Sequence, residues 1–238
     1  MSGARDTKPS SSRGGSKKKR VDLKVDTLTL GPFQTNTYVV TCEATKKAAV
    51  IDPGFHGDRI AKFVRDKGVA VEWVLLTHGH VDHVSALGPL LKELQSGGGV
   101  EELKVAMHKE DLPFLDRAPE MALMFGFSAP KPPQPQKVLK DGDEVVVGEL
   151  RFKTIHTPGH TPGGVSFLVA GAGVVFVGDT LFYRGIGRTD LPGGSFPQLR
   201  DSIRGRLYSL PPATKVYTGH GPPTTIREER VSNPFVTK

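Results

Sequence analysis

Thr77-His78-Gly79-His80-Val81-Asp82-His83 follows directly on the largely apolar run at residues 71–76 and places three imidazoles and a carboxylate within six residues. In an extended chain, residues two apart share a side. His78 and His80 therefore converge on one cation, while Asp82 and His83, at the turn beyond, are presented elsewhere and serve a second. The chain has eight histidines in 238 residues, so three of them in one short segment read as ligands rather than as a polar turn.

A tetrahedral zinc needs four ligands, and His78 and His80 leave it two short. Working outward, three further segments share one grammar. Phe152-Lys153-Thr154-Ile155-His156-Thr157-Pro158-Gly159-His160 carries His160 into a Pro/Gly turn after a strand-like run. Val174-Val175-Phe176-Val177 runs into Gly178-Asp179-Thr180, and Lys215-Val216-Tyr217 leads to Gly219-His220-Gly221. Each is a short β-branched or aromatic strand followed by a loop of small residues that presents one polar side chain. Such loops converge on one edge of a sheet, where rigid elements hold the side chains that act.

These motifs resemble those of the metallo-β-lactamase superfamily of hydrolases, across nearly everything from residue 21 to the C-terminus. The order of strands and helices alone gives an α/β domain; the resemblance implies the metallo-β-lactamase-like αββα sandwich, two mixed sheets flanked by helices. It also implies that His78, His80 and His160 hold one metal, that Asp82, His83 and His220 hold another, and that Asp179 bridges them. The cofactors implied are two Zn²⁺ or a mixed Zn/Fe pair. Asp52, in Ala49-Val50-Ile51-Asp52-Pro53-Gly54, falls where the superfamily keeps an aspartate beside the metals, and reads equally as a turn residue after a buried strand. The implied chemistry is attack of a metal-bridging hydroxide on a carbonyl, with Asp82 and Asp179 as the catalytic carboxylates.

For the substrate, the stretch after Asp179 is informative: Thr180-Leu181-Phe182-Tyr183-Arg184-Gly185-Ile186-Gly187-Arg188-Thr189-Asp190-Leu191-Pro192-Gly193-Gly194. It resembles the short bacterial type of glyoxalase II, the hydroxyacylglutathione hydrolases, which cleave thioesters such as S-lactoylglutathione. In that family a basic residue at the place of Arg188 contacts a glutathione carboxylate; a structural ion pair with Asp190 is the other reading. The longer glyoxalase II enzymes add a C-terminal helical domain, for which the 18 residues after His220 leave no room. A persulfide dioxygenase with a single Fe²⁺ has a similar Gly-Arg-Thr-Asp stretch and stays an alternative, as does a lactonase. Imidazole and carboxylate ligands serve zinc and iron alike.

Composition constrains the rest. Residues 1–20 hold seven lysines and arginines against Asp6, which is +6 of the formal net charge of +7. The body from residue 21 is therefore nearly neutral, and the tail reads as a disordered basic arm, with a nucleic-acid-binding or nuclease-like role as the alternative. A single cysteine, Cys42, excludes an intramolecular disulfide and suits a reducing, cytoplasmic setting. No apolar run approaches the roughly 20 residues of a membrane span.

Periodicity predicts strands at residues 21–25, 38–42, 48–51, 105–107, 144–147 and 150–155. It predicts a helix face of Ile60, Phe63 and Val64 ended by Gly68, and one of Leu87, Leu90, Leu91 and Leu94 stopped at Gly97-Gly98-Gly99. A last helix carries Leu199, Ile203, Leu207 and Leu210 inward. Residues 130–135, rich in proline, read as an extended surface connection. His108 matches no ligand motif and reads as structural or surface, and residues 120–127 read as core packing, with a cover over the pocket as the other reading.

Overall fold

The computed structural model describes residues 21–96 and 103–237. The basic tail at residues 1–20 and the glycine stop at 97–99 lie outside the described residues. Strands β1 (Leu23–Leu30), β2 (Thr35–Cys42), β3 (Lys47–Ile51), β4 (Ala70–Leu75), β5 (Lys104–His108) and β6 (Lys137–Leu139) form one six-stranded sheet in that order. The first three pair antiparallel and the last four parallel. Strands β7 (Glu144–Val147), β8 (Leu150–His156), β9 (Val165–Val169) and β10 (Val174–Phe176) are followed by a small ribbon, β11 (Leu181–Phe182) with β12 (Gly185–Ile186). With β13 (Lys215–Tyr217) and β14 (Thr224–Thr225), the second sheet has the order β14-β13-β10-β9-β8-β7, and its one parallel pair is β10 with β13.

Side-chain alternation assigns the layers. Along β2 and β3, Tyr38, Val40, Ala49 and Ile51 face the other sheet, and Val39, Ala48 and Val50 face the helices. Phe152, Phe167 and Phe176 of the second sheet complete the core between the sheets; each such fully buried ring contributes about 2–3 kcal/mol. Helices α1 (Gly57–Asp66), α2 (Val81–Val84), α3 (Leu87–Ser96) and α4 (Leu112–Met124) belong to the first sheet's side. Ile60 and Val64 of α1 and Leu87, Leu90, Leu91 and Leu94 of α3 pack there, so the leucine stripe is core. Helices α5 (Phe196–Ser202) and α6 (Ile226–Ser232) cover the second sheet through Leu199, Ile203, Leu207 and Ile226. The expected αββα sandwich of two mixed sheets is the observed fold.

Local differences have local causes. The first strand runs from Leu23 to Leu30 because its antiparallel register with β2 pairs Leu23 with Cys42 and continues to Leu30 opposite Thr35. The helix carrying Leu199 passes into a π-turn at Ile203–Leu207 and ends before Leu210, where Pro211 and Pro212 remove backbone donors. It is followed by α6, whose Thr225 side chain caps the Glu228 amide. Residues 130–135 contain no helix or strand, as proline content predicts. No described helix is long and apolar enough to cross a membrane.

Loops from both sheets are stitched together along one edge. The Val165 amide bonds the Thr77 carbonyl (2.8 Å), the Gly219 amide the Gly178 carbonyl (2.7 Å), and the Asn36 amide the Gly219 carbonyl (2.8 Å). The ends of β2, β4, β9, β10 and β13 are thereby fixed against one another.

Candidate metal centre

His80, at the end of the loop after β4, has extended backbone and starts the short helix α2. His78 and His80 reach one point, as their spacing predicts, and the one turn of α2 swings Asp82 and His83 toward a neighbouring point. His160, from the loop between β8 and β9, completes the first group: one ligand atom from each of His78, His80 and His160 lies within 4.8 Å of the others. His80 Nδ1 and His160 Nε2 are 2.8 Å apart. Asp82, His83 and His220 form a second such group. His220 Nε2 lies 3.2 Å from Asp82 Oδ2 and 3.4 Å from His83 Nε2.

Asp179 lies between the groups. Its Oδ1 is 3.3 Å from His83 Nε2, and its Oδ2 is 3.6 Å from His160 Nε2 and 3.5 Å from His220 Nε2. A side chain at position 219 would overlap Asp179 Oδ1, which explains the glycine there. Gly219→Ala is expected to displace that carboxylate and lower metal affinity by about 10–100-fold, the range for disturbed ligand orientation. A zinc competition titration with a folded variant checks it, and unchanged affinity would contradict the packing argument.

The histidines are aimed by oxygen acceptors. His83 Nδ1 lies 3.1 Å from Asp52 Oδ2, His160 Nδ1 lies 2.8 Å from the Arg188 carbonyl, and His220 Nδ1 lies 3.0 Å from the Phe33 carbonyl. Each acceptor assigns the ring proton to Nδ1 and turns the Nε2 lone pair inward, the usual way a ligating imidazole is oriented. Asp52 occupies left-handed backbone (φ 50°) at the end of β3 and also accepts from the Thr77 amide (2.8 Å) and hydroxyl (2.6 Å). It thus connects the turn after β3 to both His83 and the start of the histidine segment.

Three buried polar atoms among the described residues have no hydrogen-bond partner, Thr154 Oγ1 on β8 and His78 Nε2 and Asp179 Oδ1, and the last two belong to this cluster. Orphaned buried acceptors are costly, and a cation relieves that cost, so the side chains present fit a metal. Electrostatics separates the groups. Burial and the neighbouring His83, His160 and His80 hold His78 well below the usual imidazole value, and burial with His160 pushes His80 down to about 3, so both stay neutral. Burial opposes charge on His83 and His220 as well. Asp82 and Asp179 nevertheless raise His83 well above its ordinary value, and hydrogen bonds to Asp179 and Asp82 raise His220 to about 10. A cation must displace those protons, so affinity at the second group falls with falling pH.

One residue has no signal in the sequence motifs. Asp111, fully buried at the start of α4, accepts from the Gly79 amide (2.9 Å), the Thr161 hydroxyl (2.7 Å) and the Gly163 amide (2.6 Å). It ties the His78/His80 loop to the His160 loop.

Beside the centre lies a cavity of about 290 Å³, lined on one side by His80, Asp82, His160, Asp179 and His220. Phe33, Val81, Met121, Phe125 and Leu191 form its apolar side. Residues 120–127 are therefore divided: Ala122 is core, Met121 and Phe125 face the cavity, and Met124 is 79% exposed. Arg188 also lines the cavity, but its guanidinium is held by both oxygens of Asp190, at 2.8 Å each.

Comparison with known proteins places this geometry in context. Residues 30–220 match the family model described as the metallo-beta-lactamase superfamily. The chain is 34% identical over 215 residues to "Hydroxyacylglutathione hydrolase GloC" of Haemophilus influenzae, covering 90% of this chain and 98% of the relative. The crystal structure of TTHA1623 in a di-iron-bound form is similar at 40% identity and a TM-score of 0.80, over 89% of this chain and all of that one. ETHE1 from Myxococcus xanthus superposes with a TM-score of 0.70 at 33% identity, over 89% of this chain and 83% of its own.

Proposed function

This chain belongs to the metallo-beta-lactamase superfamily, and on that premise we propose that it is a metal-dependent hydrolase of thioesters, with S-lactoylglutathione or a related hydroxyacylglutathione as substrate. The observation that carries the reading is the convergence of seven ligand side chains around the unpartnered His78 Nε2 and Asp179 Oδ1. His78, His80 and His160 would hold one ion, Asp82, His83 and His220 the other, and Asp179 both. When bound, such a pair makes water nucleophilic at neutral pH and draws charge from the carbonyl and the departing group.

The chain's own groups do the rest. Asp82 Oδ2 accepts from the Thr35 hydroxyl at 3.1 Å, and the side chain stays 16% exposed toward the cavity. It orients the attacking water and takes up its proton. Phe33, Val81, Met121, Phe125 and Leu191 exclude bulk water from the reacting carbonyl and receive the apolar part of the acyl group. Arg188 and Asp190 are both exposed, and a solvent-accessible pair of this kind exchanges partners readily. The guanidinium can thus turn from Asp190 to a carboxylate of the thiol carrier, for which its planar fork is suited.

The similar GloC supports a hydroxyacylglutathione substrate. The similarity to ETHE1 from Myxococcus xanthus supports a second reading, an iron-dependent persulfide dioxygenase. Metal analysis of the purified protein together with a substrate panel separates the two. Two metal equivalents at this centre and turnover of S-lactoylglutathione are expected; a single iron at the centre and oxygen uptake on glutathione persulfide, without thioester cleavage, would overturn the hydrolase. The nucleic-acid reading rests on residues 1–20, outside the described residues, and predicts RNA cleavage or salt-sensitive RNA affinity in the same assays. A small-molecule thioester is the partner this reading requires, and a cytoplasmic setting fits Cys42, buried and free.

A further inference from the structure

A second histidine cluster lies outside the centre described above. His108 ends β5 and His156 ends β8, so they come from different sheets, and the one-turn helix at Lys109–Asp111 presents Glu110 beside them. The two rings stack with centroids 4.4 Å apart and planes 18° from parallel. One ligand atom from each of His108, Glu110 and His156 lies within 4.8 Å of the others. We infer that these three residues form a separate binding site for one divalent cation of the zinc class.

Two imidazoles and a carboxylate suit zinc and leave a position open to water. The hydrogen bonds of the rings support the assignment. His156 Nε2 donates to the Pro162 carbonyl at 2.9 Å, which leaves the lone pair on Nδ1, the arrangement in which a carbonyl aims a ligating histidine. His108 is 4% exposed, and its Nδ1 receives only a long 3.4 Å contact from the Glu110 amide. Burial, followed by the neighbouring His156, lowers the proton affinity of His108, so the ring is available in its neutral, ligating form. Asp141, ion-paired with Arg206 at 2.7 Å, accepts from the His156 amide at 2.9 Å and is within the electrostatic reach of His108. Zinc with bonds of about 2.0–2.1 Å needs its ligand atoms about 3.3 Å apart. His108 is fixed by burial, whereas Glu110 is exposed and His156 partly so, and these two make the closing movement, in which the His156 ring turns out of its near-parallel stack on His108.

The site lies behind the His160 loop, through Pro162, and next to Asp111, yet shares no ligand with the candidate centre. It stands independently of the thioesterase reading.

The test is a zinc competition titration of the full chain after chelator treatment, comparing wild type with His108→Gln/His156→Gln. The variant is expected to bind one equivalent fewer, whatever number the main centre holds, with unchanged thioester turnover at saturating zinc. Equal stoichiometry in both proteins overturns the proposal. Should the double variant fail to fold, Glu110→Gln replaces it: a loss of about tenfold or more in affinity for one equivalent is expected, with circular dichroism unchanged. Unaltered affinity for every equivalent in that variant overturns the proposal equally.

Discussion

Asp179→Asn is expected to lower thioester turnover by about 10³-fold or more and to remove one of the centre's two metal equivalents while the fold persists. Among the described residues, Asp179 has carboxylate oxygens in ion-pair range of histidines from both groups: His83 and His220 on one side and His160 on the other. Asparagine keeps the shape but offers a single oxygen and no charge, so the histidines drawn toward Asp179 lose their common partner. Asp82 would then face His83 and His220 alone, and the second group, whose raised proton affinity depends on both carboxylates, would bind its cation least well. Asp179 Oδ1 satisfies no donor in the protein, and the neighbouring cores are built from apolar side chains elsewhere, so little folding energy is at stake. Metal content and kcat/KM measured on the same preparation check this. A variant that stays active with undiminished metal content would sink the bridging role.

What could be read before the fold was known depended on how local the signal was. All seven proposed ligands sit in the loops, or the one-turn helix α2, that follow short strands, where residue type and spacing carry the signal, and the structure brings those seven together at one edge. The αββα name came through resemblance, since the order of strands and helices leaves the pairing of β10 with β13, and hence the position of His220, undetermined. The orientation of the rings was invisible: the acceptors on His160 and His220 are the backbone carbonyls of Arg188 and Phe33, which carry no side-chain identity. Arg188 offered two readings, and the structure shows its guanidinium on Asp190 while its carbonyl aims His160. Helix α6 has no apolar periodicity to mark it, because Arg227, Glu228, Glu229 and Arg230 fill a short helix whose buried positions are only Ile226 and Glu229. His108 and His156, 48 positions apart, meet only through the approach of the two sheets.

Asp111 is the instructive omission. In Lys109-Glu110-Asp111 it looks like a surface acid before a helix, yet it is fully buried and accepts three hydrogen bonds from the two loops that carry His78, His80 and His160. Burial pushes its carboxyl above the ordinary value, and the bonds from Thr161, Gly79 and Gly163 act against that rise. Asp111→Ala is therefore expected to leave two amides and a hydroxyl without their acceptor. Each orphaned donor costs about 1–3 kcal/mol before water enters, so a net loss near 3 kcal/mol in unfolding free energy follows. The larger consequence is for the metal centre: with the Gly79 and Gly163 backbones released, the three imidazoles of the first group no longer hold a common point, and affinity there should drop by about 10–100-fold. Denaturant titration measures the first effect and zinc competition the second. If stability falls while zinc affinity at every equivalent stays at the wild-type value, Asp111 supports the fold alone, and its link between the ligand loops has no bearing on the metal.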